Sequence, residues 1–186
     1  MHPLRRHIEE VITLEDSEFD HVLNHFTPIK KRKHQYLIQE GEAINKEFWV
    51  VKGCLRAFVM DESGREHIIQ FALEDWWITD YQAFEKQVKS QIYIDCLEDC
   101  ELLYITKADR EKLSSESHKM ERFWAKKTKY GYIASQNRVL SLLKNTAKER
   151  YELMFAQYPN IIQRVSKKMI ASYLGVSRET LSRLYS

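Results

Sequence analysis

The spacing of hydrophobic residues changes twice along the chain, and these changes predict three regions. Up to about Phe26 the apolar residues follow helical spacing. From Thr27 they form short runs near period two, which is typical of strands, with glycine turns such as 61–64 between them. From about Ala108 helical spacing returns. Many short strands followed by helices predict an α+β protein whose N-terminal part is an antiparallel β-roll or jelly roll.

A long amphipathic helix is predicted at 117–144. Its stripe contains Met120, Phe123, Trp124, Tyr130, Ile133 and Ala134, with Lys127 interrupting the apolar positions. A helix of this length is too long for a small domain to bury, so it either forms a dimer interface or packs across its own roll. Thr146 is expected to cap a following helix at 147–157, which Pro159 would end.

The last twenty residues have the spacing of a helix-turn-helix. Ile170 and Leu174 share one face of a first helix, and Gly175 stands where a helix end adopts a left-handed conformation. Ser177 can cap the second helix through its hydroxyl. The other apolar positions between the two helices are Ala171, Val176, Leu181 and Leu184. A plain helical hairpin is the alternative, but its exposed face usually mixes Glu and Lys.

The exposed side of the predicted second helix carries side chains that can contact bases. In a helix-turn-helix this helix enters the major groove, and its N-terminal residues reach base edges. The residues expected to contact DNA are Lys167, Lys168, Ser177, Arg178, Glu179, Thr180, Ser182 and Arg183. Because the sequence ends at Ser186, we expect no wing after this helix.

The charge distribution agrees with a DNA-binding C-terminal region. The chain of 186 residues has 29 basic and 27 acidic side chains. From Asn137 onward there are nine basic and three acidic residues, so this segment carries +6 and the preceding residues carry −4. A basic block at one end of a mildly acidic chain favours contact with phosphates by that end alone.

Other classes of site receive no support from the sequence. The three cysteines, Cys54, Cys96 and Cys100, do not suggest a disulfide framework, and Cys96 and Cys100 would lie about 13 Å apart on a straight strand. We expect buried thiols in a reducing, cytoplasmic compartment. No apolar run reaches the ~18 residues of a membrane helix. We expect no catalytic site, no metal site among the histidines and no cofactor.

The order of roll, long helix, short helix and helix-turn-helix resembles the Crp–Fnr family of bacterial transcription regulators along nearly the whole chain. Residues 150–183 and 77–102 carry the resemblance most strongly and are similar to members from bacteria of the Bacteroidetes type. The resemblance implies a homodimer in which Arg178, Glu179 and Arg183 contact the operator. It implies a roughly palindromic double-stranded site with half-sites ~34 Å apart. RNA polymerase is a further candidate partner.

The candidate effector pocket departs from the pattern of the family's cyclic-nucleotide binders. These binders carry a Gly-Glu pair and an Arg-Ser pair, and the Arg holds the cyclic phosphate. Here the two segments read Trp-Ile-Thr-Asp-Tyr at 77–81 and Lys-Ser-Gln-Ile at 89–92, without Arg. A buried phosphate without this cation loses its main compensation for desolvation, so we expect no tight binding of cyclic AMP. The candidate pocket residues are Trp77, Thr79, Asp80, Tyr81, Lys89, Ser90 and Gln91, although Trp76, Trp77 and Tyr81 also suit the roll's core.

Together these features predict a dimeric, sequence-specific transcription regulator. Residues 1–116 would form the sensor roll with flanking helices, 117–144 the dimerisation helix and hinge, and 145–186 the DNA-binding domain. The alternative is a cyclic-nucleotide or small-molecule binding module whose DNA binding is vestigial. A third hypothesis is a constitutive DNA-binding protein with a roll filled by aromatic side chains.

Overall fold

Two antiparallel four-stranded sheets face each other in the N-terminal half, which confirms the predicted roll. The structure is a computed structural model that describes residues 1–183. One sheet has the strand order β1-β8-β3-β6 and the other β2-β7-β4-β5. The strands are β1 (Thr27–Lys31), β2 (Tyr36–Ile38), β3 (Lys46–Lys52), β4 (Leu55–Met60), β5 (Glu66–Ala72), β6 (Trp77–Ile78), β7 (Tyr93–Cys96) and β8 (Cys100–Thr106).

The helices surround and follow this roll. Two precede it, one lies between β6 and β7, and the remaining six follow in sequence. They are α1 (Pro3–Glu9), α2 (Asp16–Leu23), α3 (Tyr81–Lys86), α4 (Lys107–Glu116), α5 (His118–Lys144), α6 (Ala147–Gln157), α7 (Pro159–Arg164), α8 (Lys167–Leu174) and α9 (Arg178–Arg183). None of the helices between residues 1 and 183 has the length and apolar character that crossing a membrane requires.

The first turns of α5 pack into the core of their own chain. Met120, Phe123 and Trp124 are buried in a cluster with Trp49 and residues of α1 and α2. Of the two alternatives for the stripe, these three residues therefore follow the second, packing across their own roll, and are not free to form a dimer interface. The predicted bounds agree with α5, and the hydroxyl of Ser117 caps it by accepting a hydrogen bond from the Met120 amide at 3.3 Å.

A buried histidine joins this cluster to the roll. The indole N–H of Trp77 donates to His7 Nε2 at 3.0 Å. Burial, followed by the charge of Lys127, lowers the pKa of His7 to about 4. The imidazole is therefore neutral at physiological pH and can accept this hydrogen bond. The ring centroids of Trp77 and Trp124 are 4.8 Å apart in an edge-on arrangement. Trp77 therefore packs against the core cluster and does not line an open pocket.

The helix after α5 begins and ends as predicted, but a further short helix follows it. Thr146 and Glu149 form a capping box, in which each side chain accepts a hydrogen bond from the other residue's backbone amide. Gln157 ends α6, and Pro159 is the first residue of the short helix α7, which the sequence analysis did not predict. Proline suits this position because its missing N–H would have no partner inside the helix.

The C-terminal helices share a core with the roll. Phe58, Ile68 and Phe71 pack in the same apolar cluster as Ile170 and Leu174. The hydroxyl of Ser172 donates to the Glu66 carbonyl at 2.8 Å and accepts from the Ile68 amide at 3.0 Å. These contacts dock α8 on β5, so the two parts of the chain are held together by both burial and hydrogen bonds.

Two arginines strengthen the docking, one through two ion pairs and the other through two hydrogen bonds. Arg164 reaches Glu74 at 2.8 Å and Glu98 at 2.6 Å, both on the roll. Arg138, from α5, donates to the backbone carbonyls of Ile68 at 3.0 Å and Tyr173 at 2.9 Å. Arg138 therefore joins the long helix, the roll and the first helix of the helix-turn-helix.

The three cysteines are buried and unoxidised, as expected, but their separation was predicted wrongly. The chain crosses from one sheet to the other between Cys96 and Cys100, so the two residues do not lie on one straight strand and their thiols are close enough to interact. Interaction with the other thiol raises the pKa of Cys96 and lowers that of Cys100. Gly53 has a φ of +116°, and a Cβ there would lie 2.5 Å from the Cys100 sulfur, so only glycine fits.

Candidate nucleic-acid interface

The turn between α8 and α9 has the geometry that the sequence predicted. Gly175 adopts a φ of +70°, and its nearest neighbour would be 3.5 Å from an added Cβ, so backbone conformation rather than space requires glycine. Ile170, Ala171, Leu174 and Leu181 are buried against one another and the roll. Leu184, the last predicted apolar contact, lies outside the described residues.

The outer face of α9 is exposed to solvent. Ser177 caps this helix by accepting a hydrogen bond from the Thr180 amide at 3.1 Å. Arg178, Glu179, Ser182 and Arg183 are exposed, and Thr180 is half-buried. The docking of α8 on the roll therefore leaves this face uncovered.

The charges on this surface suit contact with DNA. Lys167 and Lys168 are exposed in the first turn of α8. A hydrogen bond from its own backbone amide, and then one from Ser177, lowers the pKa of Glu179. Glu179 is therefore an acceptor at neutral pH, which is the state that contacts the cytosine amino group, whereas arginines such as Arg178 donate to guanine.

Beyond its first turns, α5 presents a second apolar face. Ile133 and Leu140 are both 42% exposed and lie seven residues apart, and Leu143, three residues further on, is 77% exposed. Nine residues, or two and a half turns, separate Trp124 from Ile133, so these residues lie on opposite sides of the helix. The other large exposed apolar residues of this half of the chain are Tyr130, Tyr132, Val139, Leu142, Leu153 and Phe155.

Lys127 and Ala134 are the two remaining residues of the predicted dimer stripe, and they lie in different environments. Lys127 points to its own N-terminal helices, where its ammonium lies 3.3 Å from Glu10 and 5.6 Å from the centre of the Phe123 ring. Ala134 is exposed beside Ile133. The apolar pattern of α5 thus combines a face that packs on the roll and a face that is exposed to solvent within residues 1–183.

The candidate effector region is closed by its own hydrogen bonds. Asp80 is 7% exposed, and its carboxylate accepts from the Ala83 amide at 3.0 Å, the Ser90 hydroxyl at 2.9 Å and the Gln91 amide at 3.1 Å. The Thr79 hydroxyl donates to the backbone carbonyl of Lys46 at 2.8 Å. The donors of this segment are therefore used by groups of the chain itself.

The remaining candidates of this region do not supply a free buried cation. Lys89 is exposed, and the hydroxyl of Tyr81 donates to Glu47 at 2.9 Å. Arg110 reaches the other oxygen of Glu47 at 3.0 Å. Arg56, whose side chain is 9% exposed, is paired with the carboxylates of Asp95 and Glu66.

Comparison with known proteins agrees with this architecture. The profile of the cyclic nucleotide-binding domain matches residues 28–117. The cAMP-activated global transcriptional regulator CRP of Salmonella typhimurium is 23% identical over an alignment of 182 positions. The alignment covers 91% of this chain and 85% of that protein. The transcriptional regulatory protein btr of Bordetella pertussis is 24% identical over 171 residues, which cover 85% of this chain and 69% of that protein.

Solved structures show the same fold. FixK2 from Bradyrhizobium japonicum superposes with a TM-score of 0.74 at 22% identity, covering 86% of this chain and 82% of that one. CLP from Xanthomonas campestris, described as a c-di-GMP responsive global regulator, also gives 0.74, at 14% identity and with 91% and 89% coverage. The chain belongs to the Crp–Fnr family. It is a transcription regulator of that type.

Within this Crp–Fnr protein, the sequence analysis missed the residues that dock the helix-turn-helix on the roll. Arg138 and Arg164 counted only as part of a basic segment, and Ser172 was not singled out. Their partners lie at least 35 residues away in sequence, and mostly 66 or more. The sequence offers no local signal for such contacts, because a solvated arginine and a docking arginine look alike.

A histidine pair was also missed, and here the sequence did carry a signal. His21 and His25 are four residues apart, which is the HxxxH spacing of many metal sites. This spacing argues against the expectation that no metal site lies among the histidines. A further histidine, His67, is exposed, and its Nε2 lies 2.7 Å from Asp61 Oδ2 in the β4–β5 turn.

Proposed function

We propose that this protein is a homodimeric, sequence-specific DNA-binding transcription regulator without catalytic activity, acting in the cytoplasm. The observation that carries the proposal is the exposed face of α9, which bears Arg178, Glu179 and Arg183, together with the exposed Lys167 and Lys168 in the first turn of α8. The proposed division is a sensor roll at 1–116, a dimerisation helix and hinge at 117–144, and a DNA-binding domain at 145–186.

The dimer is supported by the exposed apolar face of α5. Ile133, Leu140 and Leu143 have the seven-residue repeat that packs one helix against a parallel partner. Two copies related by a two-fold axis would present two α9 helices to one side of the DNA. A roughly palindromic operator with half-sites one helical turn apart follows from that symmetry.

The roll is proposed not to bind cyclic AMP in the usual way. Asp80 places a buried carboxylate against 89–92, the segment that corresponds to the phosphate-holding Arg-Ser pair of the family's cyclic-nucleotide binders, and it occupies the Ser90 hydroxyl and the Gln91 amide. A phosphate there would meet a negative charge instead of an arginine, at a cost in desolvation and repulsion. A different effector, or none, is compatible with this arrangement.

Signal transmission is proposed to occur at the junction of α5 and α6, between about Asn137 and Thr146. In the structure, Arg138 and Arg164 hold the helix-turn-helix on the roll. An effector can shift the DNA-binding parts only through different affinities for the docked arrangement and a rotated one. RNA polymerase is the proposed partner of the DNA-bound dimer.

Selection of bound sequences from random double-stranded DNA tests the proposal directly. We expect a palindrome to be recovered, and Arg178→Ala to weaken binding to that site by ~1–3 kcal/mol, or about 5- to 150-fold, because one bidentate contact to guanine is lost. The variant should also accept more bases at one position of each half-site. Fluorescence anisotropy on the selected site and on single-base variants measures both effects.

Lys167→Ala is the companion variant, because a lysine that contacts phosphate carries no sequence information. It should weaken binding to all sequences alike and reduce the slope of log affinity against log salt by ~1. Lys148→Ala, in an exposed lysine of α6, is the control and should leave binding unchanged. Equal losses for Arg178→Ala on every sequence would contradict base readout. Failure to select any DNA would favour the small-molecule binding module.

Calorimetric titration with cyclic AMP and cyclic GMP tests the proposed roll. We expect no saturable heat at micromolar nucleotide, because the chain's own Asp80 carboxylate holds the hydrogen-bond donors of this segment. As a control, the same sample is tested in the DNA-binding assay and then titrated a second time. DNA binding by that sample shows that the titrated protein is folded. Micromolar binding of either nucleotide would refute this part of the proposal.

A further inference from the structure

Three metal-ligating side chains meet on the side of the roll away from the helix-turn-helix contacts. His21 belongs to α2, His25 follows its end, and Glu116 is the last residue of α4. Each offers one ligand atom, and these atoms all lie within 4.8 Å of one another. We propose that His21, His25 and Glu116 bind one divalent transition-metal ion of the zinc type.

The local structure brings the two imidazoles to one side of the chain. A spacing of four residues places side chains next to each other on a helix. The turn after Leu23 continues the helical path, since the His25 amide donates to the Val22 carbonyl at 3.1 Å. The centroids of the two rings are 5.1 Å apart, and the rings pack edge to face at 83°, so the two imidazoles are neighbours on this side of the chain.

Zinc bonds of ~2.0–2.1 Å in a tetrahedral site place neighbouring ligand atoms about 3.3 Å apart. His21 Nε2 lies 3.0 Å from Glu116 Oε2, which is close to that separation. All three ligand atoms lie within 4.8 Å, so the widest pair must close by at most about 1.5 Å. The side chains of His21 and Glu116 are 51% and 39% exposed, so both can rotate toward His25. The fourth position is left to a water molecule, as in zinc sites with three protein ligands.

His25 already has the partner that orients a metal-bound imidazole. Its side chain is 9% exposed, and its Nδ1 lies 3.5 Å from Asp109 Oδ1. A carboxylate that accepts from one ring nitrogen leaves the other for the metal and raises its basicity.

The surrounding charges favour a cation at this point. Both α2 and α4 end here, and the C-terminal ends of helices carry partial negative charge. The nearest competitor is Lys112, whose ammonium is 3.9 Å from Glu116 in an exposed pair. Exposed pairs of this kind contribute little, so a metal would displace it at small cost. The bound ion would link α2 to α4 immediately before α5 begins.

Titration of the full chain with zinc, after removal of metals by chelation, tests the site. We expect one zinc ion per chain and a higher thermal unfolding midpoint with zinc, because a ligand that binds only the folded state stabilises it. His21→Ala should weaken zinc binding at least ~10-fold and abolish the thermal shift, since it removes a ligand that is half-exposed and makes no core contact. X-ray absorption of the zinc-loaded protein should show nitrogen and oxygen ligands without sulfur.

His118→Ala is the matched control, because His118 is exposed and pairs with Glu121 at 3.4 Å in the same region. It should bind zinc as the unsubstituted protein does. Asp109→Asn should keep the fold and weaken zinc several-fold through His25. Unchanged affinity in His21→Ala, sulfur in the zinc shell, or absence of zinc binding by the unsubstituted chain would each overturn the proposal. All three outcomes are independent of whether the protein binds DNA.

Discussion

Ile133→Asp combined with Leu140→Asp should convert the protein from a dimer to a monomer. The reason is that each proposed dimer would bury four of these side chains, each 42% exposed in one chain, so burial of each is worth about 0.6–1.3 kcal/mol. Loss of the lower sum, about 2.5 kcal/mol, raises the dissociation constant by ~70-fold before the cost of burying the new carboxylates is added. Sedimentation at micromolar concentration should then show one species of 22.3 kDa instead of twice that mass.

Binding to the palindromic operator should fall with the dimer, because a monomer contacts one half-site only. Ser135→Asp is the matched control, since Ser135 is exposed and lies ~200° around α5 from Ile133. It should remain dimeric and bind DNA normally. The circular dichroism of all variants should be unchanged, because the replaced side chains make no core contact. A double variant that still sediments as a dimer would refute α5 as the interface.

Arg56→Met should lower the free energy of unfolding by ~3–5 kcal/mol. Arg56 donates to both oxygens of Asp95, at 2.8 and 3.0 Å, and its guanidinium lies 4.2 Å from the centre of the Phe58 ring. Asp95 is 5% exposed, so removing its cation leaves a buried carboxylate without compensation, which is the costly way to break such a pair. Urea unfolding at a fixed protein concentration measures the change.

A second substitution separates charge from packing at this site. Arg56→Met with Asp95→Leu removes both buried charges, and we expect it to recover much of the stability lost in the single variant. Arg65→Met, in an exposed arginine near the β4–β5 turn, should change the free energy of unfolding by less than ~0.5 kcal/mol. If Arg56→Met were as mild as this control, the buried pair would not stabilise the roll.

The contacts that dock the helix-turn-helix on the roll are the ones that a hinge rotation would have to break. Ser172, Arg138 and Arg164 use main-chain carbonyls and two glutamates of the roll, while the DNA-reading face of α9 points outward. The roll and the C-terminal helices also share an apolar core, so their relative position depends on side chains of both parts. Any proposed rotation must therefore replace these contacts with others of similar strength.

The sequence by itself determined the features that depend on local chemistry. Strands followed from period-two spacing, and the helix-turn-helix followed from Gly175 and Ser177, because a left-handed turn and a helix cap each need particular side chains at fixed positions. The bounds of α5 were predictable for the same reason. The family resemblance then gave the order of the domains, since it depends on the succession of such local elements.

Only the tertiary structure decided which surfaces and groups meet. Periodicity could not divide α5 into a face on the roll at Trp124 and a free face at Ile133, because both have helical spacing. It could not bring Cys96 to Cys100, which requires the crossing between sheets, or Glu116 to His21, which are 95 residues apart. Contacts between distant segments depend on how the sheets and helices pack, and local spacing contains no information about that packing.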